Sequence, residues 1–143
     1  MSNQILFLFS VLIMGVLVSN LEASAESEIK EKINQFVKAG DEQEPSSLEG
    51  ILHPDYRITF AFPGETKVTI LSREMYLQML KDKKLGGTKR SIKIEEVTIR
   101  GNTALVRAKL ESEVMRFSIF FSFINVGEGW KLISDLPFAE KKS

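Results

Sequence analysis

The sequence predicts an α+β fold in which helices cover one face of a curved antiparallel sheet. The main observation is the stretch 115–136, MRFSIFFSFINVGEGWKLISDL, which indicates two long strands around a Gly127-Glu128-Gly129 turn. Apolar residues recur there at every second position, as in a strand with one buried face. Phe117, Phe121 and Phe123 lie on that face and need a large cover. Helical apolar stripes earlier in the chain can supply it.

Composition limits the possible functions. The 143 residues fit one domain, since domains commonly contain about 100–200 residues. The 19 basic and 19 acidic residues balance, which argues against nucleic acid or an anionic membrane as the principal partner. The chain has no cysteine, so disulfides and thiol nucleophiles are excluded. One histidine and no carboxylate pair at ligand spacing give no support for a metal site, and we expect no cofactor.

The N-terminus has the pattern of a signal peptide over residues 1–25. Ile5 to Val18 is an apolar run, shorter than the roughly 20 residues of a membrane span. Ala23-Ser24-Ala25 is a small-x-small pattern of the kind that signal peptidase cuts. We therefore expect a secreted or periplasmic protein whose single mature domain, residues 26–143, has no membrane contact. An uncleaved anchor is the alternative, because residues 1–4 carry no Lys or Arg.

Three helices are predicted, two of them before the first strand. The first is expected to begin at Glu26 and to end at Gly40. A short second helix follows Pro45, which suits a first helical turn. Ser72 is expected to cap the third helix, which ends at Gly86-Gly87. The residues expected on the buried faces are Ile29, Ile33, Phe36 and Val37, then Leu48, Ile51 and Leu52, then Met75, Tyr76, Met79 and Leu80.

Strands are predicted on both sides of the third helix. Tyr56–Phe62 alternates clearly and is followed by a second strand over Lys67–Leu71. The apolar parity changes between residues 92 and 99, so we expect a bulge near Glu95-Glu96. Gly101-Asn102 suits a hairpin turn. The inward residues of the strand after it are Ala104, Val106, Ala108 and Leu110, and those of the last strand are Trp130, Leu132, Ser134 and Leu136.

This order of elements is that of the cystatin-like α+β cone. Four stretches resemble the nuclear transport factor 2-like superfamily, and within it the exported putative lumazine-binding, SnoaL-like branch. They are Phe36-Val37-Lys38-Ala39-Gly40-Asp41, Leu52-His53-Pro54-Asp55, Leu71-Ser72-Arg73-Glu74 and Gly129-Trp130-Lys131-Leu132. The resemblance implies a cone-shaped sheet with helices on its concave face. Such folds host unrelated activities, so function has to be argued from the site.

Two groups of enzymes with this fold offer a comparison. The tyrosine and aspartate positions of ketosteroid isomerases correspond to Ile33 and Phe60, both apolar. SnoaL-type cyclases use a histidine and an aspartate in the pocket, whereas the one histidine here is His53, at a predicted helix-to-strand corner. We therefore expect no catalytic residue and interpret the chain as a small-molecule binding or interaction module. A cyclase- or isomerase-like enzyme and a purely protein-interaction domain are the alternatives.

Aromatic residues of the sheet are the candidates for a pocket that binds a small apolar or planar ligand. Ordinary core packing is the competing interpretation. His53 is a candidate for the rim, and we do not expect it to form an acid–base pair with Asp55, because side chains two apart around a proline usually diverge. The candidates for the pocket wall are Tyr56, Phe60, Phe117, Phe121 and Trp130.

The back of the predicted sheet is not simply polar. Apolar residues on adjacent strands there form a patch that monomers rarely expose, and two-fold pairing of like faces is the commonest way to cover it. We therefore expect a homodimer through this face. Long Lys and Arg stems lying over scattered apolar residues are the alternative. The dimer face consists of Leu105, Phe120, Ile124 and Ile133, interspersed with Arg107, Lys109, Arg116, Lys131 and Asp135.

Overall fold

The computed structural model describes the backbone of residues 2–143 and the side chains from Gly15 onward. Its first helix, α1, spans Ser2–Glu42, so the expected start at Glu26 is wrong. The predicted signal peptide has an apolar run over residues 5–18, and the side chains of residues 5–14 are outside the described part of the structure. In the described part of the chain, no helix is both long and apolar enough to cross a membrane.

The end of α1 also differs from the expectation. Gly40 lies inside the helix, which continues to Glu42 and ends where Gln43 adopts a positive φ of 56°. Gly40 has a packing role instead. The backbone N–H of Gly87 donates to its carbonyl oxygen at 3.1 Å, and a Cβ on Gly86 would collide with that oxygen. The glycines therefore allow the loop after the next helix to touch α1.

Six strands form one open, curved sheet in the order β2-β1-β6-β5-β4-β3. Every neighbouring pair is antiparallel except β1 and β6, which are parallel. The predicted α+β class, with helices on the concave face, is confirmed. The elements after α1 are a 3-10 helix Pro45–Leu48, β1 Leu52–Phe60, β2 Thr69–Ser72, α2 Arg73–Lys81, β3 Ser91–Arg100, β4 Thr103–Glu111, β5 Met115–Asn125 and β6 Trp130–Lys141.

Strand β1 begins at Leu52, before the predicted start at Tyr56, and the second helix ends at Leu48, so its predicted extension to Leu52 is wrong. Leu132 N donates to the Ile51 carbonyl oxygen at 2.9 Å, and Leu52 pairs with Leu132. Pairing with β6 therefore begins before His53, and His53 lies in β1, not at a helix-to-strand corner. The β1–β6 register is interrupted between Leu52 and Arg57, which accommodates Pro54 because proline has no N–H for a ladder.

The predicted N-cap of α2 at Ser72 is confirmed, whereas the predicted burial of Met75 is wrong. The Met75 backbone N–H donates to Ser72 Oγ at 3.3 Å. Tyr76 and Leu80 are buried as predicted, and Met75 is 51% exposed. The helix ends at Lys81, before the glycine pair.

The predicted features of β3 and β4 are confirmed. The β3–β4 register shifts between Ile94 and Glu96, which places the bulge at Glu95. Gly101 forms the turn with a positive φ of 58°. The four inward residues of β4 are all buried: Ala104, Val106, Ala108 and Leu110.

A second bulge, in β6, overturns the predicted facing of the last strand. Phe123 pairs with Leu132, and Ser122 pairs with Ser134, so Ile133 is an extra residue. An extra residue shifts every later side chain to the other face. Asp135, expected on the back of the sheet, therefore lies opposite Phe121 on the concave face and is buried. Leu136, expected inward, is 54% exposed on the back.

Candidate functional site

A cavity of about 280 Å³ lies between α1, α2 and the concave face of the sheet. Its volume is near the lower end of ligand pockets, which commonly enclose about 300–1,000 Å³. Val114 lines it and is exposed, so the cavity reaches solvent near the β4–β5 turn. Most of the wall is apolar, and the main contributors from the sheet are Ile58, Phe60, Met115, Phe117, Ile119 and Pro137.

Asp135 is the buried carboxyl group of this cavity. Its residue is 3% exposed, and its Oδ2 accepts a hydrogen bond from the Tyr56 hydroxyl at 3.0 Å. Its Oδ1 is also buried and has no hydrogen-bond partner among the described residues. Burial raises the pKa of Asp135 to about 7, although the Tyr56 hydrogen bond and the positive charge of Arg90 act in the opposite direction.

Two tyrosines surround this carboxyl group. The Tyr56 and Tyr76 ring centroids are 5.6 Å apart, and Tyr76 stacks on Phe36 at 5.9 Å. Burial raises the pKa of both tyrosines, and the negative charge of Asp135 raises both further. Both hydroxyls therefore stay protonated near neutral pH. Tyr56 holds Asp135 from the core side, whereas Tyr76 lines the cavity itself.

Arg90 contributes a positively charged side chain to the wall. Its Nε donates to Asp41 Oδ1 at 2.6 Å, and its backbone N–H donates to Asp41 Oδ2 at 2.9 Å. A terminal guanidinium nitrogen donates to the Val37 carbonyl oxygen at 3.4 Å. The guanidinium carbon also lies 5.8 Å from the centroid of the Phe117 ring, a cation–π distance. Arg90 thus ties the segment before β3 to the end of α1.

The sequence-predicted candidates for the pocket wall divide into two groups. Phe60 and Phe117 line the cavity. Tyr56, Phe121 and Trp130 are buried in the core, and Tyr56 reaches the cavity only through its hydrogen bond to Asp135.

His53 and Ile33 lie elsewhere. The residues that line the described cavity do not include His53. Its Nδ1 accepts from the Asp55 backbone N–H at 3.0 Å and lies 3.7 Å from Asp55 Oδ2. Ile33 is fully buried in the core. Phe60, at the other position compared with ketosteroid isomerases, contributes an apolar ring to the wall.

Sequence reasoning missed the polar residues of the site. Strict alternation places Asp135 on the wrong face, because it does not allow for the bulge at Ile133. The available signal was the adjacent pair Leu132-Ile133, since two consecutive apolar residues break a strict alternation. Arg90 and Tyr76 gave no comparable signal, because only the folded chain brings them to the cavity.

The back of the sheet carries a larger apolar surface than predicted. Leu105 and Phe120 are exposed, and Ile124 and Ile133 are half-buried. Phe120 pairs with Leu136 across β5 and β6. The bulge adds two exposed residues to the face, Leu136 and Phe138, and Ile70 of β2 is also exposed.

Comparison with known proteins gives a family and a fold. The model of the family described as "Putative lumazine-binding" matches residues 24–136. No protein with a curated description matches the chain by sequence.

Several solved structures share the architecture. A nuclear transport factor 2-like protein of unknown function from Shewanella baltica superposes with a TM-score of 0.73 at 16% identity, over 84% of this chain and 97% of that one. One from Silicibacter pomeroyi gives 0.68 at 18% identity, over 87% and 98%. A cystatin-like domain of unknown function from Nostoc punctiforme gives 0.65 at 17% identity, over 80% and 76%. At such identities the likeness shows the fold alone.

Proposed function

We propose that this chain, which belongs to the putative lumazine-binding family and has the nuclear transport factor 2-like fold, binds a small, largely apolar molecule in the cavity beside Asp135. The observation that carries the proposal is an apolar cavity whose one buried carboxyl group keeps an oxygen without a partner in the described chain. Buried polar groups are nearly always satisfied, and each exception calls for an explanation. A bound ligand supplies one.

A matched pair of methionines provides the test. Met115 lines the cavity, whereas Met75 is exposed on α2 away from it. We expect Met115→Trp to fill the cavity and weaken binding of 2-naphthol, followed by its fluorescence, at least about tenfold, which is about 1.4 kcal/mol. Met75→Trp should bind like wild type. Because the family description names lumazine, lumazine belongs in the same titration. Absence of binding by wild type, or equal binding by both variants, would refute the proposal and favour a purely protein-interaction domain.

An acid–base enzyme acting in the same cavity is the second candidate. It is favoured by the pKa of about 7 at Asp135, since a general base works best when its pKa is near the working pH. The test is exchange of the acidic C–H protons of 2-tetralone for deuterium in D₂O, followed by NMR. Asp135→Asn should slow an enzyme-dependent exchange by about 10²–10⁴-fold. If exchange is no faster with the protein than in buffer, the enzyme candidate is rejected and ligand binding remains as the proposed function.

Export is also part of the proposal. The family match begins at residue 24, within the Ala23-Ser24-Ala25 pattern, so nearly all of the apolar run lies before the matched domain. We expect the mature protein to begin at Glu26, in a secreted or periplasmic location. Intact-mass measurement on protein from its native host tests this, and a membrane-bound species that retains residues 1–25 would contradict it.

Self-association through the back of the sheet completes the proposal. Phe120 and Leu136 pair across β5 and β6 and belong to an apolar surface that this chain leaves exposed, and monomers rarely keep such patches. We expect sedimentation of the mature domain to give a dimer and Phe120→Asp to give a monomer. Val126→Asp is the control, because Val126 is also apolar and exposed but lies in the β5–β6 turn. A wild-type monomer would contradict this part.

A further inference from the structure

We propose that Asp135 Oδ1 accepts a hydrogen bond from the ligand, so that the cavity selects neutral planar molecules carrying a hydroxyl or N–H group over anions and over isosteres that offer only acceptors. This inference rests on the proposed function and names the class of ligand.

The geometry of the carboxyl group supports a ligand with a donor. Oδ2 is held by the Tyr56 hydroxyl at 3.0 Å, so the orientation of the carboxyl group is fixed from the core side. Oδ1 is buried without a partner among the described residues, and Asp135 lines the cavity. A donor in the cavity would satisfy the remaining acceptor. An apolar or acceptor-only ligand would leave it desolvated, which is costly for a carboxylate.

The surrounding charges disfavour an anion. The ionisable groups around Asp135 are Tyr56 of β1, Tyr76 of α2 and Arg90 before β3. Both tyrosines are held neutral by burial. Arg90 is the nearby cation, and it already binds Asp41 of α1 and the Val37 carbonyl oxygen. A carboxylate ligand would therefore meet a compensated guanidinium and, beside it, a second carboxyl group.

The walls favour a planar ring. Phe60 and Phe117 come from the sheet and Phe36 and Tyr76 from the helices, and all four line the same cavity. Aromatic walls bind flat molecules by stacking and edge contacts. A volume of about 280 Å³ admits a two-ring molecule and little more.

Three naphthalenes of nearly equal size separate these features: 2-naphthol has a donor, 2-methoxynaphthalene has only an acceptor, and 2-naphthoate is an anion. The hydroxyl of 2-naphthol is a phenol like that of tyrosine and stays protonated below about pH 9. At about pH 8.5, where Asp135 is mostly ionised, we expect wild type to bind 2-naphthol at least about tenfold more tightly than either of the others. At about pH 5.5 the protonated carboxyl group can itself donate, so the preference over 2-methoxynaphthalene should shrink.

Asp135→Asn provides the matched variant. The Tyr56 hydroxyl needs an acceptor, so we expect the amide oxygen of the variant to turn to Tyr56 and the amide nitrogen to take the position of Oδ1, where it offers a donor to the ligand. The preference should then reverse in favour of 2-methoxynaphthalene. The wild-type ratios test the inference even if the variant folds poorly. Equal binding of all three ligands, or tightest binding of 2-naphthoate, would overturn the inference while leaving the proposed function intact; binding of none would overturn the proposed function.

Discussion

The two ends of the concave face are built from the same strands and differ in what covers them. At one end, Phe121, Phe123 and Leu132 are almost completely buried, under a helix face that includes Ile29 and Ile33 of α1. At the other end, residues of the same inward parity are only half-buried around the cavity, among them Phe60, Met115 and Phe117. The alternating pattern is the same at both ends, so the cover decides which end becomes core and which becomes site.

Strand β6 shows the same division within one element. Before the bulge at Ile133 its inward residues are Trp130 and Leu132, which belong to the core. After the bulge its inward residues include Asp135 and Pro137, which line the cavity. The extra residue Ile133 thus lies between the core part and the cavity part of the strand, and it reverses the facing of the later side chains so that Asp135 points inward.

The largest expected effect comes from removing a large side chain at the filled end. Phe121→Ala should lower the free energy of unfolding by about 3–5 kcal/mol, through lost transfer energy and a cavity that its neighbours cannot fill. Phe117→Ala, at the open end, should cost roughly half as much, because that ring is only partly buried in the folded protein. Arg116→Ala on the back should change stability by no more than about 0.5 kcal/mol. Urea denaturation of the three variants measures this, and equal midpoints would remove the distinction between the two ends.

The second prediction concerns pH and the buried carboxyl group. The pKa of Asp135 is raised from 3.8 to about 7 in the folded state. Between these values the folded protein binds more protons than the unfolded chain, so stability contributed by this group falls as pH rises through that window, by up to about 4 kcal/mol. Asp135→Asn should therefore be more stable than wild type at about pH 8 and nearly equal to it at about pH 4.

The control for this pH effect is Val126→Asn, because Val126 is exposed and neither side chain at this position is ionisable. Its difference in unfolding free energy from wild type should stay nearly constant across the same range. A constant difference for Asp135→Asn as well would mean that this carboxyl group is ionised normally in the folded protein.

The filled end could be predicted from the sequence, whereas only Phe60 and Phe117 of the site could be. A periodic pattern reports which side chains face inward, and it correctly predicts that Ile29, Ile33 and Leu132 are buried. It gives the right face for Phe121 as well, although Phe121 is a core residue and not part of the cavity wall. The pattern fails where a register shifts. It predicts the bulge near Glu95, because the apolar residues change parity there. It does not predict the bulge at Ile133, because in the adjacent pair Leu132-Ile133 each residue fits one face of a regular strand.

The polar contacts of the site could not be predicted from the sequence for a different reason. Arg90 and Asp41 are 49 positions apart, and Tyr56 and Asp135 are 79 apart. No local periodicity relates residues at such separations. Only the sheet order, with β1 placed beside β6, brings the second pair together.

The third prediction tests the contact between the loop after α2 and the end of α1, where Gly86 and Gly40 both line the cavity. Gly86 has a positive φ of 72°, and a Cβ there would meet the Gly40 carbonyl oxygen. Gly86→Ala should therefore cost about 2 kcal/mol or more, from backbone strain and displacement of the loop from α1. Gly50→Ala is the control, since a Cβ there meets nothing within 4 Å. Equal melting temperatures for the two variants would show that the loop adapts without strain.

The smallest expected effect is that of His53→Ala. This variant tests whether His53, a predicted candidate for the rim, takes part in the site. His53 was a candidate for the rim, but its imidazole is occupied locally, where Nδ1 accepts from the Asp55 backbone N–H at 3.0 Å. Losing that hydrogen bond should cost about 0.5–1.5 kcal/mol. Because His53 does not line the described cavity, binding of 2-naphthol should stay within about twofold of wild type, and any turnover found at Asp135 within a few fold. Calorimetric unfolding and the fluorescence titration measure the two quantities on one sample. A loss of binding or turnover near the level of Asp135→Asn would place His53 in the site and extend the open end of the cone to the start of β1.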